Sequence, residues 1–73
     1  MSIRNDRIKA MMQEDNITVA EFAEGIGKTK MTAAALAEGT IKMPKLSTFT
    51  DICNFFGCSA DYLLGRSDAR YYV

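Results

Sequence analysis

The sequence predicts an all-α fold, a compact bundle of five short helices, and three observations carry that expectation. Apolar residues recur at three- and four-residue spacing along the chain, as a buried helix face requires. Thr18, Thr29 and Ser59, whose hydroxyls can cap a helix start, and Gly39, which can end one, stand where those stretches begin or stop. Val, Ile and Thr never alternate over more than three or four residues, so nothing reads as a strand.

The first helix is expected over about residues 4 to 15, with Ile8 and Met11 inward, Met12 beside them, and an end before Asn16. Thr18 starts the second. Its hydroxyl can accept from the backbone N–H of Glu21, and Glu21, three positions on, completes a capping box. Phe22, Ala23 and Ile26 then face the core, and Gly25 and Gly27 supply the backbone freedom for a tight turn. Thr29 caps a third helix that runs to about Glu38 and stops at Gly39, with Ala33 and Leu36 inward. After a loop, Thr40 to Pro44, a fourth helix of about residues 45 to 56 carries Leu46, Phe49, Ile52, Cys53 and Phe56 as its buried stripe. Ser59 caps a short fifth helix of about residues 60 to 64. Residues 1–65 form one domain on this reading, and residues 66–73, RSDARYYV, a short C-terminal tail.

Two helices joined by a Gly-containing turn, as residues 18 to 39 predict, make a helix-turn-helix unit, whose second helix normally enters the DNA major groove. Its second helix here holds Ala33, Ala34 and Ala35, which donate no hydrogen bonds to bases.

Composition excludes several functions. Of the 73 residues, 48% are apolar and 25% charged, ordinary for a small globular module. No apolar run reaches the roughly 18 residues of a membrane span, and the N-terminus opens charged, so the protein is expected in the cytoplasm. There is no His, and Cys53 and Cys58 match neither C-x-x-C nor a zinc-knuckle spacing, so no metal or other cofactor is expected and both are read as reduced thiols. Without His, a carboxylate pair or a partnered Ser, no catalytic residue is assigned and the chain is read as no enzyme, with no small-molecule substrate. Gly27-Lys28-Thr29 mimics the end of a P-loop, but Phe22 stands where the first Gly must be and no strand precedes it.

A family resemblance covers Arg7 to Ser67. R-I-K-A-M at 7 to 11, T-V-A-E-F-A at 18 to 23, G-I-G at 25 to 27 and P-K-L-S-T-F at 44 to 49 are similar to the lambda-repressor-like helix-turn-helix family of phage repressors, Cro proteins and XRE regulators. The most specific stretch is Phe56 to Gly65, FGCSADYLLG, which resembles the family's closing signature. The resemblance implies a five-helix DNA-binding domain. It places the base-reading positions at Lys30, Met31 and Ala35, with Lys28, Thr29, Thr32 and Ala34 nearby. The family's usual Gln at the first position of the second helix is Val19 here. Lys30 can bond guanine O6 and N7, and Met31 or Ala35 can touch a thymine methyl, but no Asn, Gln or Arg is available for bidentate readout.

Nine basic residues balance nine acidic ones, yet Lys28, Lys30, Lys42 and Lys45 face only Glu38 within residues 28 to 45. Glu14, Asp15, Glu21 and Glu24 oppose that field from the preceding segment. Modest, salt-sensitive DNA affinity follows, with Lys42 and Lys45 as phosphate clamps in the family manner. Each feature also has a plainer reading: Ala34 and Ala35 as helix filler, and Lys42 and Lys45 as a solvated loop.

Three functions fit. The first is a small phage-type transcriptional regulator of a genetic switch that binds operator DNA through its third helix, as a homodimer joined through the last two helices or the tail. The alternative is an antirepressor that keeps the fold but binds a partner repressor's DNA-binding domain through an apolar patch of Met31, Met43, Ile41 and Met12. A structural or toxin-antitoxin module has no positive feature in the chain beyond fold class.

Overall fold

The computed structural model describes residues 2–71, in five helices: α1 (Asn5–Glu14), α2 (Val19–Ile26), α3 (Lys30–Glu38), α4 (Leu46–Phe56) and α5 (Ala60–Leu63). No strand occurs among the described residues. Helix α3 packs on both α1 and α2, α2 packs on α4, and α5 closes the bundle against α1 and α4.

Local chemistry sets the helix ends. Thr18 Oγ1 accepts from Glu21 N–H at 3.2 Å while the Glu21 carboxylate accepts from Thr18 N–H at 2.9 Å, so the capping box is complete. Thr29 and Ser59 cap α3 and α5 through the backbone N–H groups of Thr32 and Tyr62. Each satisfies a donor that a helix start leaves unpaired. Thr18→Ala should cost about 1 kcal/mol. Chemical denaturation would show this as a lower midpoint at unchanged slope, and an unchanged midpoint would mean that water caps α2 equally well.

The core is one cluster in which Ile8, Met11, Phe22, Ala33, Leu36, Ile52 and Leu63 are fully buried. Phe22 holds α2 to α4, its ring 5.8 Å from that of Phe55 and 5.3 Å from that of Phe56. Ala37 and Thr48 are also buried, although the sequence did not mark them.

Three expectations need correction. Leu46 was expected inside, but it is 77% exposed. It is the first residue of α4, and the buried stripe runs through Thr48, Phe49, Ile52, Cys53 and Phe56, which leaves Leu46 at the edge of that face beyond its neighbours. Gly25 does not make the turn. Only Gly27 has left-handed backbone there, with φ +69°, whereas Gly25 lies inside α2 where an added Cβ would come within 2.2 Å of the Phe55 ring. Its lack of a side chain lets that ring lie against the helix. Finally, Ile41 and Met12 are half-buried and packed on the core, so they do not extend an exposed patch with Met31 and Met43.

Residues 66–70 run back along the bundle. Arg7 donates to the carbonyls of Tyr62 and Ser67 and pairs with Asp68 at 2.9 Å. Arg70, its side chain only 10% exposed, spans Glu14 Oε2 at 2.8 Å, Asp15 Oδ2 at 2.6 Å and the Phe56 carbonyl at 2.9 Å. The tail's last two residues, Tyr72 and Val73, lie outside the described region.

Candidate nucleic-acid interface

The geometry at the start of α3 follows from its cap. With Thr29 extended and Gly27 left-handed, the chain reverses in a few residues and sends α3 across α2. Thr29 Oγ1 accepts from Thr32 N–H at 3.2 Å and donates to Thr32 Oγ1 at 3.1 Å, which fixes the first turn. That turn holds no acidic residue, and Lys30 is its first helical position. A cation beside the positive end of a helix is locally unfavourable. Such a terminus is suited to an anion brought from outside.

Helix periodicity then sorts the expected site residues. Ala33, Leu36 and Ala37 are buried, so the opposite face presents Met31, Ala35 and Glu38. Met31 is 84% exposed, while Ala35 is half-buried. Ala34 points elsewhere. It lines an open groove of about 540 Å³ with Met12, Ile17, Val19 and Ala37, between the end of α1, the start of α2 and the second half of α3. Thr32 is half-buried, and Lys28, Thr29 and Lys30 are exposed on the turn and first residue.

The loop after α3 is held from two sides. Ile3 N–H donates to the Lys42 carbonyl at 2.8 Å and Ile41 N–H to the Ala35 carbonyl at 3.2 Å, while Asn5 Nδ2 donates to the Ala37 carbonyl at 3.2 Å. Lys42 is therefore presented by a fixed backbone, with an exposed side chain. Lys45 is exposed as the residue preceding α4. The role of Ile3 and Asn5 in fixing this loop was not legible in the sequence, because both act across more than 30 positions.

Charge pairing divides the basic residues into two groups. Arg4, Arg7, Arg66 and Arg70 each form an ion pair within the chain. No lysine does so among the described residues, and four of the five lysines are Lys28, Lys30, Lys42 and Lys45. The arginine pairs also consume acids. Glu14 and Asp15, expected to oppose the basic strip, are both held by Arg70. The Arg70 hydrogen bond keeps the Asp15 carboxyl below the usual range, and hydrogen bonding to Thr18 does the same for Glu21.

Cys53, on α4, and Cys58, just after it, are buried free thiols. Cys53 is pushed well above the ordinary thiol range by its hydrogen bond to Cys58 and by burial, so it stays protonated. Among the described residues no group of three or more His, Cys, Asp or Glu side chains could hold a metal, and no helix is long and apolar enough to cross a membrane.

A family model described as the Cro/C1-type HTH DNA-binding domain matches residues 7–68. No curated protein matches the chain.

Proposed function

Because the chain belongs to the Cro/C1-type helix-turn-helix DNA-binding domain family, we propose that it is a transcriptional regulator that seats α3 in the major groove of duplex operator DNA. The observation that carries this reading is the segregation of its basic residues. Arginines are spent on internal pairs, and unpaired lysines ring the start of α3 and the loop behind it. Lys28, Lys42 and Lys45 then neutralise phosphates, and Lys30 reaches the guanine edge. Family membership of this kind goes with regulators and generally not with enzymes.

The test is an anisotropy titration of labelled duplex against the protein over a range of salt concentrations. Each of Lys28→Ala, Lys42→Ala and Lys45→Ala should weaken binding to all sequences and reduce the slope of log K against log salt by about 0.9. A triple variant that keeps both the affinity and the slope of the parent would overturn the assignment.

A phage-type switch and binding as a two-fold dimer are further parts of this proposal, with dimer contacts drawn from α4, α5 or the residues after Gly65. The second reading, an antirepressor that docks on a partner repressor, draws support from the exposed apolar side chains of Met31, Met43 and Val19. Here Ala35→Arg should abolish the protein complex while the three lysine changes leave it intact.

A further inference from the structure

We propose that α3 selects its site chiefly through the C5-methyl groups of thymine, with Met31 as the reading side chain and Ala35 as the small residue that lets the helix approach. The inference rests on the DNA-binding reading above and specifies which base feature that site takes.

The face of α3 opposite its buried residues carries Met31, Ala35 and Glu38. None of the three has a hydrogen-bond donor on its side chain. Thr29 is already engaged, its hydroxyl bonded to the Thr32 hydroxyl while accepting from the Thr32 N–H. Thr32 is half-buried and off this face, which leaves Lys30 as the exposed donor of α3. Guanine N7 and O6 and adenine N7 in the major groove require donors, so most of this face cannot satisfy them.

What it can bury is a methyl group. Met31 is 84% exposed, unbranched and polarisable, with no side-chain partner in the core, so it can fold over an apolar feature at low steric cost. Ala35, one turn on, adds a single methyl and keeps the backbone near the groove floor. Thymine supplies the apolar group that the four bases display in the major groove. Glu38, at the end of the same face, accepts only, and so disfavours the acceptor-rich edge of guanine. Lysine clamps alone would bind without sequence preference, and apolar contact adds the selectivity that this face is able to give.

The experiment uses the full chain and a pool of random-sequence duplexes enriched on it, re-synthesised with deoxyuridine in place of thymidine on both strands. Each methyl lost from contact should weaken binding about fourfold, so two contacts predict roughly a fifteenfold loss. Met31→Ala, on a side chain that supports nothing in the core, should keep the fold by circular dichroism and lose most of the thymine-over-uracil preference. Equal affinity for thymine and uracil duplexes would overturn methyl readout while leaving DNA binding standing. A preference that survives intact in Met31→Ala would overturn the assignment to Met31. No binding to either duplex at low salt would overturn the DNA-binding reading and this inference with it.

Discussion

Phe22→Ala should strip the domain of about half of its stability or more. The ring is fully buried and touches both Phe55 and Phe56, whose own rings meet edge to face at 5.0 Å. Truncating a buried Phe to Ala costs about 3–5 kcal/mol through lost transfer and the cavity left behind. A 73-residue domain has a total stability on the order of 5–10 kcal/mol. The change should therefore remove about half of that stability or more, read as a large fall in the urea midpoint. The aromatic trio joins α2 to α4, so without it the pair α2 and α3 loses the platform that sets the angle of α3. Leu46→Ala is the matching control, because a side chain 77% exposed should change stability by less than about 0.5 kcal/mol. A loss below about 1.5 kcal/mol for Phe22→Ala would show that the bundle repacks around the gap.

Arg70→Ala should cost about 2 kcal/mol and lower Tm by roughly 10 °C. The guanidinium is almost wholly covered and makes charge-assisted bonds to Glu14 and Asp15 as well as one to the Phe56 carbonyl at the end of α4. Its removal leaves that carbonyl unpartnered and frees Glu14 and Asp15 from the tail, while Arg7 still holds Ser67 and Asp68. The variant also has a pH signature. Asp15 ordinarily titrates near 3.8, and the Arg70 hydrogen bond and charge lower it in the folded state. The stabilisation is thus fully present above that ordinary value and is lost as pH falls through the lowered one. Arg70→Ala should flatten the acid limb of stability against pH, and its deficit relative to the parent should narrow below about pH 4. Asp6, held down by the hydrogen bond from Arg4, and Glu21, held down by Thr18, keep part of that acid limb in both proteins. A constant deficit across the acid range would mean that Arg70 works through packing alone.

How much of this was legible in the sequence depends on range. Caps act within three residues, so Thr18 with Glu21, Thr29 and Ser59 could be read directly, and the structure has each of them bonded as expected. Five helices and most of the core followed from apolar spacing. Features that depend on distant partners were not available to that reasoning. Gly25 is small because Phe55, thirty positions away, lies on it. Leu46 fits the helical period of α4 but falls where no neighbour covers it. At the candidate site the family resemblance already set Ala35 apart from Ala34, but that Ala34 lines a groove with Met12, Ile17 and Val19 depends on distant packing and was not legible. Nor did it show that every arginine was already engaged. The adjacent acids Glu14 and Asp15, with no base within four residues, were the available sign that a distant cation would be needed.

The stitching of Arg7 to Ser67 and Asp68, and of Arg70 to Glu14 and Asp15, has a consequence for the order in which the domain assembles. These contacts close loops of about 55 to 61 residues, whereas α1, α2 and α3 meet over much shorter separations. Long closures are entropically costly and come after the local ones that shorten them. The helix-turn-helix is therefore expected to form early, and these contacts, with the packing of α5 on α1, among the last. Contacts absent from the folding barrier do not speed folding, but they must break before the native state escapes. In this small domain, the arginines are expected to lengthen the life of the folded state, while no lysine is tied into these contacts.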